Sequence, residues 1–162
     1  MLILPADQLV WFVAPQPVDR TRIPAVRLER FPPETARLLA GQIGPLANLR
    51  SSTGCGVTLA TDSPWIELKL DRVRHHQPIA QGLALEVQQE DGSWTATDSL
   101  DLRERDGDFS VRLNTGLLAG EIRPCCVWLP PLSTCAIAGV RLHDQAQLAA
   151  WQPPTARWLA IG

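Results

Sequence analysis

The sequence predicts an all-β fold: an antiparallel, jelly-roll-like β-sandwich with one or two short helices. Three observations carry that prediction. Apolar residues alternate with polar ones at a period of two through most of the chain after residue 55. Turn residues (Asp-Ser-Pro, Glu-Asp-Gly, Asp-Gly-Asp, Pro-Pro) break the pattern into short runs. Helical patterning is confined to two brief stretches.

Taken in order, the opening run MLILPADQLVWFVAPQP has no basic start and is split by Asp7. It reads neither as a secretory leader nor as a membrane span. In FPPETARLLAGQ, Pro33 suits a first helical turn, Glu34 complements the positive end of the helix dipole, and Gly41 is a stop. GVTLATD (residues 56–62) and WIELKLDRV (65–73) alternate as strands. The second sets Ile66, Leu68 and Leu70 on one face and Glu67, Lys69 and Asp71 on the other. With Asp62, Ser63 and Pro64 between them, they are expected to form a hairpin.

LALEVQQ (83–89) and SWTATDSLDL (93–102) are expected to pair through Glu90-Asp91-Gly92, since Asp-Gly is a strong tight-turn signal. FSVRLNT follows Asp106-Gly107-Asp108. EIRPCCVWLP and CAIAGVRLHD are expected to make the last pair, with Pro124 at an edge or bulge. A weaker helix is expected from Asp144 to Trp151.

At 162 residues the chain fits one domain. A net charge of −2, with Lys69 the only lysine and no basic block, argues against a nucleic-acid partner. No stretch suggests a membrane partner. Cys55, Cys125, Cys126 and Cys135 lack CxxC spacing, and Cys125 and Cys126 would point to opposite faces of a strand. They read as partly buried, reduced thiols in a cytoplasmic protein.

Chemistry-bearing motifs are sparse. No serine sits in a Gly-x-Ser-x-Gly or Gly-Asp-Ser context. His75 and His76 read as solvated loop residues at a strand exit, and His143-Asp144 are neighbours whose side chains diverge. DLRERDGD interleaves acids with Arg103 and Arg105 around Gly107, the pattern of a solvated turn. No catalytic residue, metal ligand or cofactor site is therefore expected. Of the six tryptophans, Trp128 and Trp158 lie in apolar runs and read as core. Trp65 and Trp94 open strands beside polar turns, and Trp151 flanks a proline-containing stretch. These three are the candidate ligand or interdomain contacts, since an indole offers a flat apolar face with a polar edge.

SSTGCGVTLATDSPWIELKL resembles a segment of the N-terminal β-sandwich domain that precedes the catalytic domain in a group of SGNH (GDSL-type) hydrolases. The matching positions are Gly54, Gly56, Val57, Leu59, Thr61, Asp62, Ser63, Pro64 and Ile66. GLALEVQQEDGSW is similar to a second family segment through Gly82, Leu85, Asp91-Gly92 and Trp94, with Ala84 and Glu86 where the family has Asp and Tyr. CCVWLPPLSTCAIAGVRL is similar to a third through Leu129, Pro130 and Leu132.

The resemblance implies a non-catalytic accessory domain over residues 1–150. It implies that residues 151–162, WQPPTARWLAIG, are a linker and the first strand of a hydrolase domain whose Gly-Asp-Ser nucleophile would follow. The partner it implies is that SGNH catalytic domain, with an acylated carbohydrate or similar acyl ester as substrate. A free-standing carbohydrate-binding module and a structural domain that forms homo-oligomers are the alternatives.

Overall fold

The computed structural model describes residues 51–76 (except 53) and 82–151, together with the segments 2–5, 10–11, 16–17, 26–27 and 33–40. Its elements are β1 (Leu2–Pro5), β2 (Val10–Trp11), β3 (Gln16–Pro17), β4 (Val26–Arg27), α1 (Pro33–Leu39), β5 (Gly56–Thr61) and β6 (Trp65–His75). They continue with β7 (Gly82–Gln88), β8 (Trp94–Asp101), β9 (Gly107–Asn114), β10 (Arg123–Trp128), β11 (Ser133–Leu142) and β12 (Leu148–Ala149). The strands form two six-stranded sheets. Sheet A runs β3-β4-β11-β6-β9, with β1 also on β11; sheet B runs β12-β5-β10-β7-β8, with β2 also on β5. Every ladder is antiparallel. The fold is an all-β sandwich, as the alternation predicts.

The core lies between the sheets. Sheet A contributes Ile66, Leu68, Leu70, Val111, Leu113, Ile137 and Val140, and sheet B contributes Val57, Leu83, Leu85, Val87, Cys125 and Val127. In β6, β7, β9 and β10 these are alternate residues, because successive Cβ atoms point to opposite faces; in β11 a register shift between Ile137 and Gly139 sets Ile137 and Val140 three positions apart. Each large aliphatic side chain fully buried here contributes about 1.5–3 kcal/mol. The outer face of sheet A stays polar, with Lys69 exposed. The outer face of sheet B is covered over β5 and β10, where Thr58, Ala60 and Cys126 are buried too. Gly56 is needed on that face, because a Cβ would come within 3.0 Å of the Val127 carbonyl and 3.2 Å of the Trp128 ring.

The pairing of neighbours differs from the sequence expectation in two places. β5 and β6 are not a hairpin, since β5 pairs with β10, β12 and β2 while β6 pairs with β11 and β9. β10 and β11 also lie in different sheets. Both connections are corners, in which the chain crosses from one sheet to the other. At the first corner the Thr61 and Asp62 side chains bond outward to distant loops, which holds the turn between the two sheets. β7 and β8 do form the expected hairpin, with Gly92 at φ +82° and the Asp91 carboxylate accepting from the Ser93 amide at 2.9 Å.

The helix at Pro33–Leu39 forms as expected, while Gly41 lies outside the described residues. The weaker helix does not form. Residues 144–151 hold a turn and strand β12, whose Leu148 and Ala149 pair with Thr61 and Ala60. The Gln147 amide and carbonyl are taken by Asp62 and Thr61, so they are unavailable for helical bonds. Pro124 pairs with Ala60 at the start of β10, and the ladder to β7 begins one residue later, at Cys125. There its missing N–H is tolerated.

Candidate functional site

Thr61-Asp62-Ser63, the turn at the first corner, organises one end of the sandwich. All three residues are buried, Asp62 at 3% exposure. The Thr61 hydroxyl donates to the Gln147 carbonyl at 2.7 Å and accepts from the Ser63 amide at 3.1 Å. The Asp62 carboxylate accepts from Gln147 N–H at 2.6 Å on one oxygen and from Gly120 N–H at 2.8 Å on the other. Those amide bonds hold its carboxyl below the usual carboxylate range. The Ser63 hydroxyl donates to the Trp65 carbonyl at 2.5 Å and accepts from the His143 amide at 3.0 Å. Thr115 closes the set, its hydroxyl donating to the Ser63 carbonyl at 2.5 Å and accepting from Leu117 N–H at 3.1 Å.

The turn therefore binds the loop 115–122 (between β9 and β10) and the loop 143–147 (before β12) to the sheet corner. Between those loops lies a shallow, mainly apolar notch of about 230 Å³, lined by Pro64, Leu117, Leu118, Ala119 and Ala146 together with Asp62, His143 and Gln145. Leu118 stands at its rim, 74% exposed. On the other side of the same loop is an open polar groove of about 380 Å³, lined by Gln88, Gln89, Glu90, Glu121 and Arg123. Arg123 bridges Glu90 and Glu121 at 2.9 and 2.7 Å.

Of the sequence-derived contact residues, the structure brings two together. Trp94, at the start of β8, and Trp151, just past β12, meet edge to face with ring centroids 6.0 Å apart, both half-buried. Trp65 stands apart from that pair, on β6 of sheet A. Its ring is covered by the Arg112 guanidinium at 4.0 Å, and His143 packs edge-on at 6.3 Å. A sugar could not stack on the face that Arg112 occupies. Beside it, Glu67 is paired with Arg112 at 3.0 Å and Arg141 at 2.6 Å across three strands. Trp128 is not in the core between the sheets. It is half-buried on the outer face of sheet B, because Val127 takes the inward position, and its indole N–H donates to Glu86 at 2.7 Å. Trp158 and the stretch 152–162 lie outside the described residues, as does the Trp11 side chain.

His75 is not a solvated loop residue. It ends β6 with its side chain only 11% exposed, between Ser133 Oγ (2.8 Å from Nδ1) and the carbonyls of Leu102 and Arg105 (2.8 and 3.1 Å from Nε2). Carbonyls only accept, so Nε2 carries a proton. Asp106 is 3.9 Å from Nε2. A serine, a histidine and an aspartate are thus adjacent, but Ser133 is fully buried, so no substrate carbonyl reaches its oxygen. His76 is partly buried as well, and desolvation followed by the His75 charge lowers its pKa. All four cysteines are buried thiols. Burial pushes the Cys125 thiol up to about 12 and that of Cys126 higher still, which removes the reactive thiolate at neutral pH. Among the described residues no three His, Cys, Asp or Glu side chains cluster to hold a metal ion, and no helix is long and apolar enough to cross a membrane.

No family model matches the chain, and no curated protein matches it. Among solved structures it is similar to the salicylyl-acyltransferase SsfX3 from a tetracycline biosynthetic pathway, with a TM-score of 0.69 and 26% sequence identity. The match covers 95% of this chain and 43% of that one, so the chain spans less than half of that protein's length.

Proposed function

We propose that this chain is the non-catalytic N-terminal accessory domain of a cytoplasmic SGNH-type esterase or acyl hydrolase. In this reading it packs on the catalytic domain, shapes the approach to the active site, and helps to hold an acyl ester such as an acylated carbohydrate. The observation that supports it best is the likeness of nearly the whole chain to a 43% share of an acyltransferase. Ester hydrolysis and acyl transfer share an acyl-enzyme step and differ in whether water or another nucleophile accepts the acyl group. The geometry of the corner adds support. The Thr61-Asp62-Ser63 side chains are consumed in holding loops, so this chain's most distinctive motif serves architecture, and chemistry is assigned to the remainder of the protein.

The test is direct. The purified 162-residue chain is expected to hydrolyse no p-nitrophenyl ester and to take no fluorophosphonate label. Serine-dependent turnover by this chain alone would overturn the proposal. A second reading, a carbohydrate-binding module, draws on the half-buried Trp94–Trp151 pair and on the polar groove between residues 88–90 and 120–123. It requires tryptophan fluorescence to shift on titration with oligosaccharides, and a flat response across a broad glycan panel would exclude it.

A further inference from the structure

The loop 115–122 exposes apolar surface in a place built to be rigid. Leu118 is 74% exposed and Ile122 38%, and Leu148 on the neighbouring β12 is 40% exposed. Gly120 and Gln147 each donate to a different oxygen of the one Asp62 carboxylate. Their amide nitrogens therefore lie within about 8 Å of each other. Leu118 is fixed further by its own backbone: its amide reaches Glu121 Oε2 at 3.3 Å, and its carbonyl accepts from the Glu121 amide at 3.0 Å. Loop tips facing only water are ordinarily polar and loosely held. Here a stapled loop presents Leu118 beside an apolar notch whose lining also holds Asp62, His143 and Gln145, and Ile122 beside the groove that holds Glu90, Glu121 and Arg123. An apolar centre with a charged rim is the layout of a protein–protein contact. The outer face of sheet A has the opposite character, with Lys69 and the Glu67–Arg112–Arg141 set spread across it.

We propose that the crest formed by Leu118, Ile122 and Leu148 is the surface on which the catalytic domain of the same polypeptide docks. This rests on the accessory-domain reading above. The occupant is argued from where the chain goes. β12 is the edge strand of sheet B and the last strand of the described chain, and it carries Leu148 into the crest. Two residues after β12, Trp151 packs on Trp94. Polypeptide continuing past Trp151 thus starts beside the crest, and a domain tethered there meets it at high effective concentration. In the solved neighbour, more than half of the chain lies outside this fold.

The test places the photo-cross-linker p-benzoylphenylalanine at position 118 of the native polypeptide, and in parallel at positions 38 and 69. Leu38, on α1, is also 74% exposed, so it controls for exposure alone, and neither leucine is part of the core. Lys69 samples the outer face of sheet A. After irradiation, peptide mass mapping is expected to join position 118 to residues beyond 162 of the same polypeptide, with no such product from position 38 or 69. Links to those residues from position 69 and none from 118 would overturn the proposed face while leaving the accessory-domain reading standing. Links from 118 between two copies of the chain would replace it with self-association. An intact mass of 17.8 kDa for the native polypeptide would overturn both readings together.

Discussion

Replacing Ser63 by alanine removes one hydroxyl that serves two separate segments. Ser63 is fully buried, and its Oγ both donates to the Trp65 carbonyl at 2.5 Å and accepts the His143 amide at 3.0 Å. The alanine methyl fits the space, so no cavity of consequence forms. The His143 amide is left without its acceptor, which costs about 1–3 kcal/mol, and loss of the donated bond adds about 0.5–1.5 kcal/mol. The expected destabilisation is roughly 2–4 kcal/mol, or about 5–15 °C in Tm for a domain of this size. Urea denaturation followed by tryptophan fluorescence measures it. The midpoint should fall with the slope unchanged, since the same surface is exposed on unfolding. Ser110→Ala, on an exposed position of β9, should stay within about 0.5 kcal/mol of the parent. If Ser63→Ala is as neutral as that control, the corner does not hold the sandwich together and the structural role given to this motif is wrong.

Three further outcomes follow from the same geometry. The Gln147 and Gly120 amides hold the folded Asp62 carboxyl below the ordinary carboxylate range. Its contribution is present above the unfolded pKa and lost as pH falls through the lower folded one; Asp62→Asn should therefore destabilise at neutral pH and lose that deficit in acid unfolding curves. Asp71 has the opposite sign: desolvation, then its hydrogen bond to Asp108 and that group's charge, raise its pKa. Stability therefore falls as pH rises from the unfolded value through the raised folded one, and Asp71→Asn should unfold at higher urea than the parent at neutral pH, the gap closing as acid protonates the parent. Gly56→Ala should destabilise by about 1–3 kcal/mol from overpacking, because two of the atoms it meets, the Val127 carbonyl at 3.0 Å and the Trp128 ring at 3.2 Å, belong to the paired strand β10; an unchanged thermal midpoint would refute that.

The period-two pattern made most of the strands legible. Leu83 to Gln89 reads as a strand and β7 spans Gly82–Gln88, because alternate residues face a core and the pattern records that directly. Alternation says which face is buried but not which strand lies alongside. The expected β5–β6 hairpin was therefore the natural error, and the side chains of Thr61, Asp62 and Ser63, bonded to residues 58 to 86 positions away, decide the matter. The same long-range bonds turned the apolar spacing of residues 144–151 into a loop and a two-residue strand. β2, β3, β4 and β12 are two residues long, too short for any periodicity to show. In the candidate site, Trp94 and Trp151 were readable as surface indoles, but their meeting depends on tertiary path. The apolar crest was missed. Its signal was Leu117-Leu118 between Gly116 and Gly120, two leucines in a turn that can bury only one of them.

The central claim is that the chemistry belongs to another part of the polypeptide that carries this fold. It is tested most directly by isolating that native polypeptide, labelling it with a fluorophosphonate, and measuring its intact mass and the labelled residue. The account predicts a mass more than twice 17.8 kDa, with the label on a serine outside the 162 residues. A native chain of 17.8 kDa, or a label on any serine within these residues, would contradict it.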